Sequence, residues 1–296
     1  MPHVTGPFVA IVTPFDAQEA INVEALRRQV DRQARAGNGV FCAGTNGEFF
    51  ALSFDEKVEV ARICVEAAAG RVPVMAHIGE VSTRQTILLG KAVQDLGIQA
   101  VSVVTPSFIP LSQEELVAYF TQVADALTVP VYLYNIPART GNTIAPETAA
   151  KLADHPNIIG IKDSAGSQDS LDGYLAVARG RDDFDVLVGP DSLIHHGLAN
   201  GAAGCISGLA NLVPETVNAI HTTAMAGDMA ASARHQAHCG ELRKTLYALG
   251  FAPPMVKRAL SHAMPEVGQS RAPVIIAADV DAKIKEISAR FVEAVG

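Results

Sequence analysis

Cysteine is scarce in this sequence: Cys42, Cys64, Cys205 and Cys239 are the only four in 296 residues. They are scattered and form no CxxC pair, so reduced core thiols are expected rather than disulfides or a zinc site. No apolar run is long enough to cross a bilayer. The N-terminus has neither the basic start nor the small-residue cleavage site of a secretory signal, so a cytoplasmic chain with no membrane partner is expected. Basic charge is also in deficit, with 23 Lys and Arg against 31 Asp and Glu, a net −8. The signs are mixed along the chain, which argues against a nucleic-acid partner. No cluster of His, Cys and Asp has metal-ligand spacing. His195 and His196 are adjacent and would face different ways on a helix, so no metal is expected. What the chain does have is core-forming material: 49% of it is hydrophobic and 18% charged.

That material is arranged as short β-rich runs alternating with helical patterns. The runs predict strands over Phe8–Thr13, Gly39–Ala43, Val72–His77, Ala100–Thr105, Val129–Tyr134, Ile158–Lys162, Asp185–Val188 and Ala203–Ser207. Helical spacing marks Val23–Ala36, with Leu26, Val30 and Ala34 on one face, and Ser53–Ala69, opened by a capping serine. Glu114–Leu127, preceded by Ser112, and Pro146–Leu152, with proline in the first turn, read alike. Strand–helix alternation without a composition break predicts an α/β fold, a (β/α)8 TIM barrel over residues 1–225. Met229–Leu249, Pro254–Ala263 and Val280–Val295 then read as a C-terminal helical extension over 226–296. The rival, an open doubly wound sheet, lacks a Gly-rich dinucleotide loop after the first strand.

The barrel gives meaning to "NIIGIKDSAG", where Lys162 ends an apolar run. By itself such a lysine reads as a strand end reaching solvent, with Asp163 as a surface partner. In a barrel of this kind, however, strand ends share a mouth where active sites sit. Tyr134 ends the fifth predicted strand and "GTNGE" follows the second, so three polar signals converge on one rim. A lysine stripped of water is the usual amine for attacking a ketone, because burial disfavours the charged form. The resulting imine draws electrons, so neighbouring C–C bonds break or form. A phenol such as Tyr134 suits the proton transfers, although a core tyrosine satisfied by backbone is the plain alternative. Thr45, Asn46 and nearby N–H groups could grip a carboxylate. Arg139, in "PARTG", offers another anion fork, or else a surface ion pair.

"GTNGE", "YNIPARTG" and "GIKDSAG", in this order, resemble the signature of the dihydrodipicolinate synthase/N-acetylneuraminate lyase family. "TPF", the "GPD" at Gly189–Asp191 and "PPMVKRAL" fit as well, and the similarity runs nearly end to end. The resemblance implies a (β/α)8 barrel, a pyruvate Schiff base, no metal or organic cofactor, and a homo-oligomer, tetramer or dimer. It implies that Lys162 is the imine lysine and Tyr134 the proton relay. Thr45 and Asn46 would hold the pyruvate carboxylate, Arg139 the carboxylate of an aldehyde substrate. Gly189 and Ile206 would line the pocket through backbone. Two departures bear on substrate. Ser107 and Phe108 stand where biosynthetic members carry adjacent tyrosines, one serving a neighbouring subunit's relay; a phenylalanine passes no proton. Asn46 and "KDSAG" lean toward catabolic cleavage of 2-oxo acids, whereas Arg139 is typical of the synthase. Gly208 replaces the sugar-binding serine of sialic acid lyases. The leading expectation is a class I lyase acting on a 2-oxo-3-deoxy sugar acid or 4-hydroxy-2-oxo acid. The alternatives are 4-hydroxy-tetrahydrodipicolinate synthase, a dehydratase using the same imine, or a non-catalytic pyruvate sensor.

Overall fold

The structure, a computed structural model, describes residues 4–295. Eight parallel strands close on themselves: β1 (Gly6–Ala10), β2 (Gly39–Cys42), β3 (Val74–His77), β4 (Ala100–Val104), β5 (Val131–Asn135), β6 (Ile158–Asp163), β7 (Asp185–Val188) and β8 (Gly204–Ser207). β1 pairs with both β2 and β8, which leaves the barrel without an edge. The helices around it are α1 (Val23–Arg35), α2 (Phe54–Ala68), α3 (Thr83–Gln94), α4 (Gln113–Asp125), α5 (Pro137–Thr140) and α6 (Pro146–Leu152). They continue as α7 (Gln168–Ala178), α8 (Ile194–Ala199) and α9 (Pro214–Met225). Beyond them lie α10 (Met229–Tyr247), α11 (Ala252–Ala263) and α12 (Ala278–Phe291). No helix among the described residues is long and apolar enough to cross a membrane.

Local chemistry sets these boundaries. Ser53 and Ser112 each form a reciprocal capping box, with Glu56 and Glu115, so α2 and α4 start where two free N–H donors are satisfied at once. Proline opens α6 and α9, where a missing N–H costs nothing. The strands predicted from Val72 and Val129 begin two residues later, at Val74 and Val131, because Pro73 and Pro130 cannot donate to the ladder. Their carbonyls still accept, from Val40 N and Val101 N. The first strand is shifted the other way. Its apolar run predicts Phe8–Thr13, yet β1 spans Gly6–Ala10. Val12 N donates to Asn211 Oδ1 and Thr13 Oγ1 to Gly47 O, so the end of the run is buried loop fastened by side chains.

Two apolar layers result. Phe8, Phe41, Met75, Tyr132, Leu187 and Ile206 fill the barrel, while a larger core lies between the strands and the helices. Gly160 lets the Tyr132 ring lie against β6: a Cβ there would sit 2.5 Å from Tyr132 Cε1. All four cysteines are buried and free. Arg32 of α1 binds the C-terminal segment, donating to the carbonyls of Glu293 and Ala294 as well as Asn211 and Leu212.

Candidate active site

The register of β5 against β6 places Tyr134 directly beside Lys162. Lys162 is only 3% exposed, so it is not the solvent-reaching strand end of the plain reading. Its Nζ lies 4.1 Å from the centroid of the Tyr134 ring and 4.5 Å from that of Phe41, which arrives from β2. Among the described residues no carboxylate forms an ion pair with it. Asp163 is no surface partner either: it is fully buried, and its Oδ1 accepts from Asn135 Nδ2 at 2.8 Å. Burial pushes the Asp163 carboxyl above its ordinary value. Tyr134 Oη and Thr45 Oγ1 are 3.1 Å apart, close enough to share a proton.

Thr45 belongs to the loop after β2, which is bent sharply. Ala43 and Glu48 both adopt left-handed backbone, φ 51° and 56°, an uncommon state for residues with a side chain. The Glu48 carboxylate is buried against Lys257 of α11, with Oε1 2.9 Å from Nζ. Ser270 Oγ adds a second donor to the same oxygen. Burial lowers the Lys257 ammonium to about 8, against the opposing pull of Glu48. Thus "GTNGE" and "PPMVKRAL", far apart in sequence, meet as one clamp. Phe15 of "TPF" completes it, its ring 3.8 Å from Lys257 Nζ and 4.2 Å from Arg271 Cζ.

Among the described residues Asn46 Oδ1 is buried with no hydrogen-bond partner, and the same amide carries in Nδ2 a donor that an anion can use. Gly208 matters to that amide: a Cβ there would lie 2.9 Å from Asn46 Nδ2. A serine at 208 and an asparagine at 46 therefore compete for one space. Thr45, Asn46, Tyr134, Lys162, Gly189 and Ile206 line a cavity of about 240 Å³, and Arg139 reaches its wall as well. All seven residues singled out in the sequence are thus brought to one place. Gly189 N donates to Asp163 O at 2.7 Å. Asp191, also at the cavity, is buried with its carboxyl raised by desolvation; Oδ2 accepts from Tyr247 Oη at 2.9 Å and Oδ1 from Ser207 Oγ.

Arg139, on α5, is exposed and stacks 4.3 Å from the Phe251 ring. Next to the cavity opens an apolar annexe of about 340 Å³, reached by Phe49, Phe50, Val81, Val104, Ile136 and Phe251. His77 underlies this region, its ring 5.8 Å from that of Tyr134. Its Nδ1 donates to Ser102 O at 3.0 Å, and Nε2 is buried without a partner among the described residues. Desolvation first, then the charges of Lys162 and Lys57, hold His77 down to about 3, so the ring is neutral. Sequence reading passed over Arg243, Tyr247 and Phe251, which sit in an extension that carries no strand-end signal. It also passed over His77, although that residue ends the third predicted strand and so carried the signal in plain view. His195 and His196 do diverge, toward Ser232 and Asp172.

Residues 3–290 match the model of the dihydrodipicolinate synthetase family. A 4-hydroxy-tetrahydrodipicolinate synthase of Geobacter sulfurreducens is 38% identical over 256 residues, 86% of this chain and 87% of that one. Among solved structures, a dihydrodipicolinate synthase of Bacillus anthracis superimposes with a TM-score of 0.92 at 27% identity, covering 99% of this chain and 100% of the other. That of Acinetobacter baumannii, determined with pyruvate, gives 0.91 at 30% identity over 98% and 100%.

Proposed function

The chain belongs to the dihydrodipicolinate synthetase family, a family of pyruvate-dependent lyases and synthases, and from that membership we propose that Lys162 forms the imine with pyruvate. The observation that carries this reading is the line from Lys162 Nζ, over the Tyr134 ring, to the 3.1 Å contact of Tyr134 Oη with Thr45 Oγ1. In the cleavage direction the amine attacks C2 of a 2-oxo acid and the carbonyl oxygen leaves as water. Tyr134 Oη gives its proton to that departing water, and the phenolate left behind then takes the proton of the 4-hydroxyl while the C3–C4 bond breaks and its electrons enter the iminium. An aldehyde departs, C3 is protonated, and water releases pyruvate from Lys162. Thr45 and Asn46 hold the pyruvate carboxylate, and Gly189 and Ile206 shape the wall around it. No metal or cofactor enters these steps.

The substrate we favour is a short 2-oxo acid, a 2-oxo-3-deoxy sugar acid or 4-hydroxy-2-oxo acid. Phe108 supports cleavage over synthesis, since it cannot supply the phenol of a relay. The second reading is 4-hydroxy-tetrahydrodipicolinate synthase, the name the curated relatives carry; the fork of Arg139, stacked on Phe251 and without an ion pair among the described residues, favours it. We further infer a cytoplasmic homo-oligomer. Residues 1–225 and 226–296 would act as one unit, because Arg243 and Phe251 reach the cavity of Lys162; the bounds 1 and 296 lie outside the described residues.

The test is borohydride reduction in the presence of pyruvate, which should add one pyruvate-derived group per chain. Lys162→Ala should abolish the adduct, and Tyr134→Phe should slow turnover by about 10²–10⁴-fold while the fold persists. An adduct that survives Lys162→Ala would remove the assignment.

A further inference from the structure

Arg243 of α10 half-buries itself in the wall of the cavity that holds Lys162. Its guanidinium leans on the Tyr247 ring, 5.4 Å from Cζ to centroid. The buried Asp191 feels the charge of Arg243, but its oxygens accept from hydroxyls, Oδ1 from Ser207 Oγ and Oδ2 from Tyr247 Oη, and no contact ion pair joins the two. Arg139 is placed in the same manner, supported by the Phe251 ring. Among the described residues neither arginine has an ion pair. Two guanidinium groups therefore border one cavity, each backed by an aromatic face and neither in a contact ion pair among the described residues.

A partly desolvated guanidinium with no contact ion pair keeps unused donors that an arriving anion can take. The pyruvate carboxylate does not meet that need, since the loop carrying Thr45 and Asn46 already accounts for it. We propose that Arg243 is a specificity residue for the acceptor half of the substrate, which ends in an acidic group, carboxylate or phosphate, set against Arg243 and Arg139. The substrate is then a 2-oxo acid with a second anionic end, rather than one ending in a neutral hydroxymethyl group. This inference rests on the imine reading given above. A planar fork suits either acid by paired hydrogen bonds.

The test measures pyruvate release from three 2-oxo-3-deoxy acids of equal length, ending in hydroxymethyl, carboxylate or phosphate. The parent protein should favour one acidic end over the neutral one by at least about tenfold in kcat/KM. Arg243→Gln should lower kcat/KM for that acidic substrate by about 10–100-fold, the usual weight of a charge-assisted hydrogen bond. The loss should fall mainly on KM, and Arg243→Lys should restore part of it. Whether the carboxylate or the phosphate arm responds names the source of the anion. A parent that favours the neutral end, or an Arg243→Gln effect equal on all three, overturns the proposal. So does a protein that traps pyruvate with borohydride yet releases it from none of the three. Failure to trap pyruvate at all would instead sink the imine reading.

Discussion

His77 shows how much one ring can be made to depend on its surroundings. Packed among Phe41, Phe49 and Tyr134, it is held down to about 3 in the folded chain, against an ordinary value of 6.5. Between those two values the unfolded chain binds a proton that the folded chain refuses. Stability contributed by the neutral ring is therefore complete above pH 6.5 and is lost progressively as pH falls toward 3. At about pH 5 this group alone should cost about 2 kcal/mol relative to neutral pH. Denaturant unfolding at several pH values checks this. His77→Asn, which keeps a donor toward Ser102 O, should flatten the slope, and an unchanged slope would assign acid lability elsewhere. Gly208 illustrates the complementary case, a residue whose missing Cβ decides what its neighbour Asn46 can do.

Among the elements, the loop after β2 and helix α11 form a single unit joined by Glu48 and Lys257. Breaking a fully buried pair strands the remaining charge, so Lys257→Met should lower stability by about 3–5 kcal/mol. A second change, Glu48→Gln, should recover much of that loss because no unpaired charge is left. Unfolding free energies of the parent, the single variant and the double variant decide the point; additive losses would mean the two groups do not interact. The strands were readable in sequence because β-branched runs mark them, and Lys162, Tyr134, Thr45 and Asn46 were readable because they sit at or just after strand ends, whereas Gly189 and Ile206 came only from the resemblance to the family. The clamp was not. Glu48 and Lys257 are separated by 209 positions, and nothing in either local pattern says that they meet. Arg243 and Tyr247 were hidden for a related reason: on a long helix their spacing reads as ordinary surface. The end of the first apolar run was misjudged because side chains, Asn211 and Thr13, took over bonding that a strand would have used.

At the scale of the whole molecule, one face is unusually apolar. Phe108 is 95% exposed in a left-handed backbone state, φ 75°, and Phe50, Val81 and Ile109 are 52%, 47% and 48% exposed. Phe50 and Val81 border the annexe, Val81 and Ile109 share the next hollow, and Phe108 directly precedes Ile109 in the chain. Such a surface is expected to be covered by a second copy of the chain. Phe108→Asp should then lower the mass seen by light scattering or sedimentation. A monomeric parent, or a variant of unchanged mass, would refute that. The clamp between Glu48 and Lys257 also has a consequence for synthesis on the ribosome. The loop with Thr45 and Asn46 emerges early, and Lys257 follows only 209 positions later. At about 5–20 residues per second, Glu48 spends roughly 10–40 s without its counter-charge. A nascent chain has the strands for a barrel before the loop after β2 gains its buried counter-charge, and a chain cut short before Lys257 never gains it.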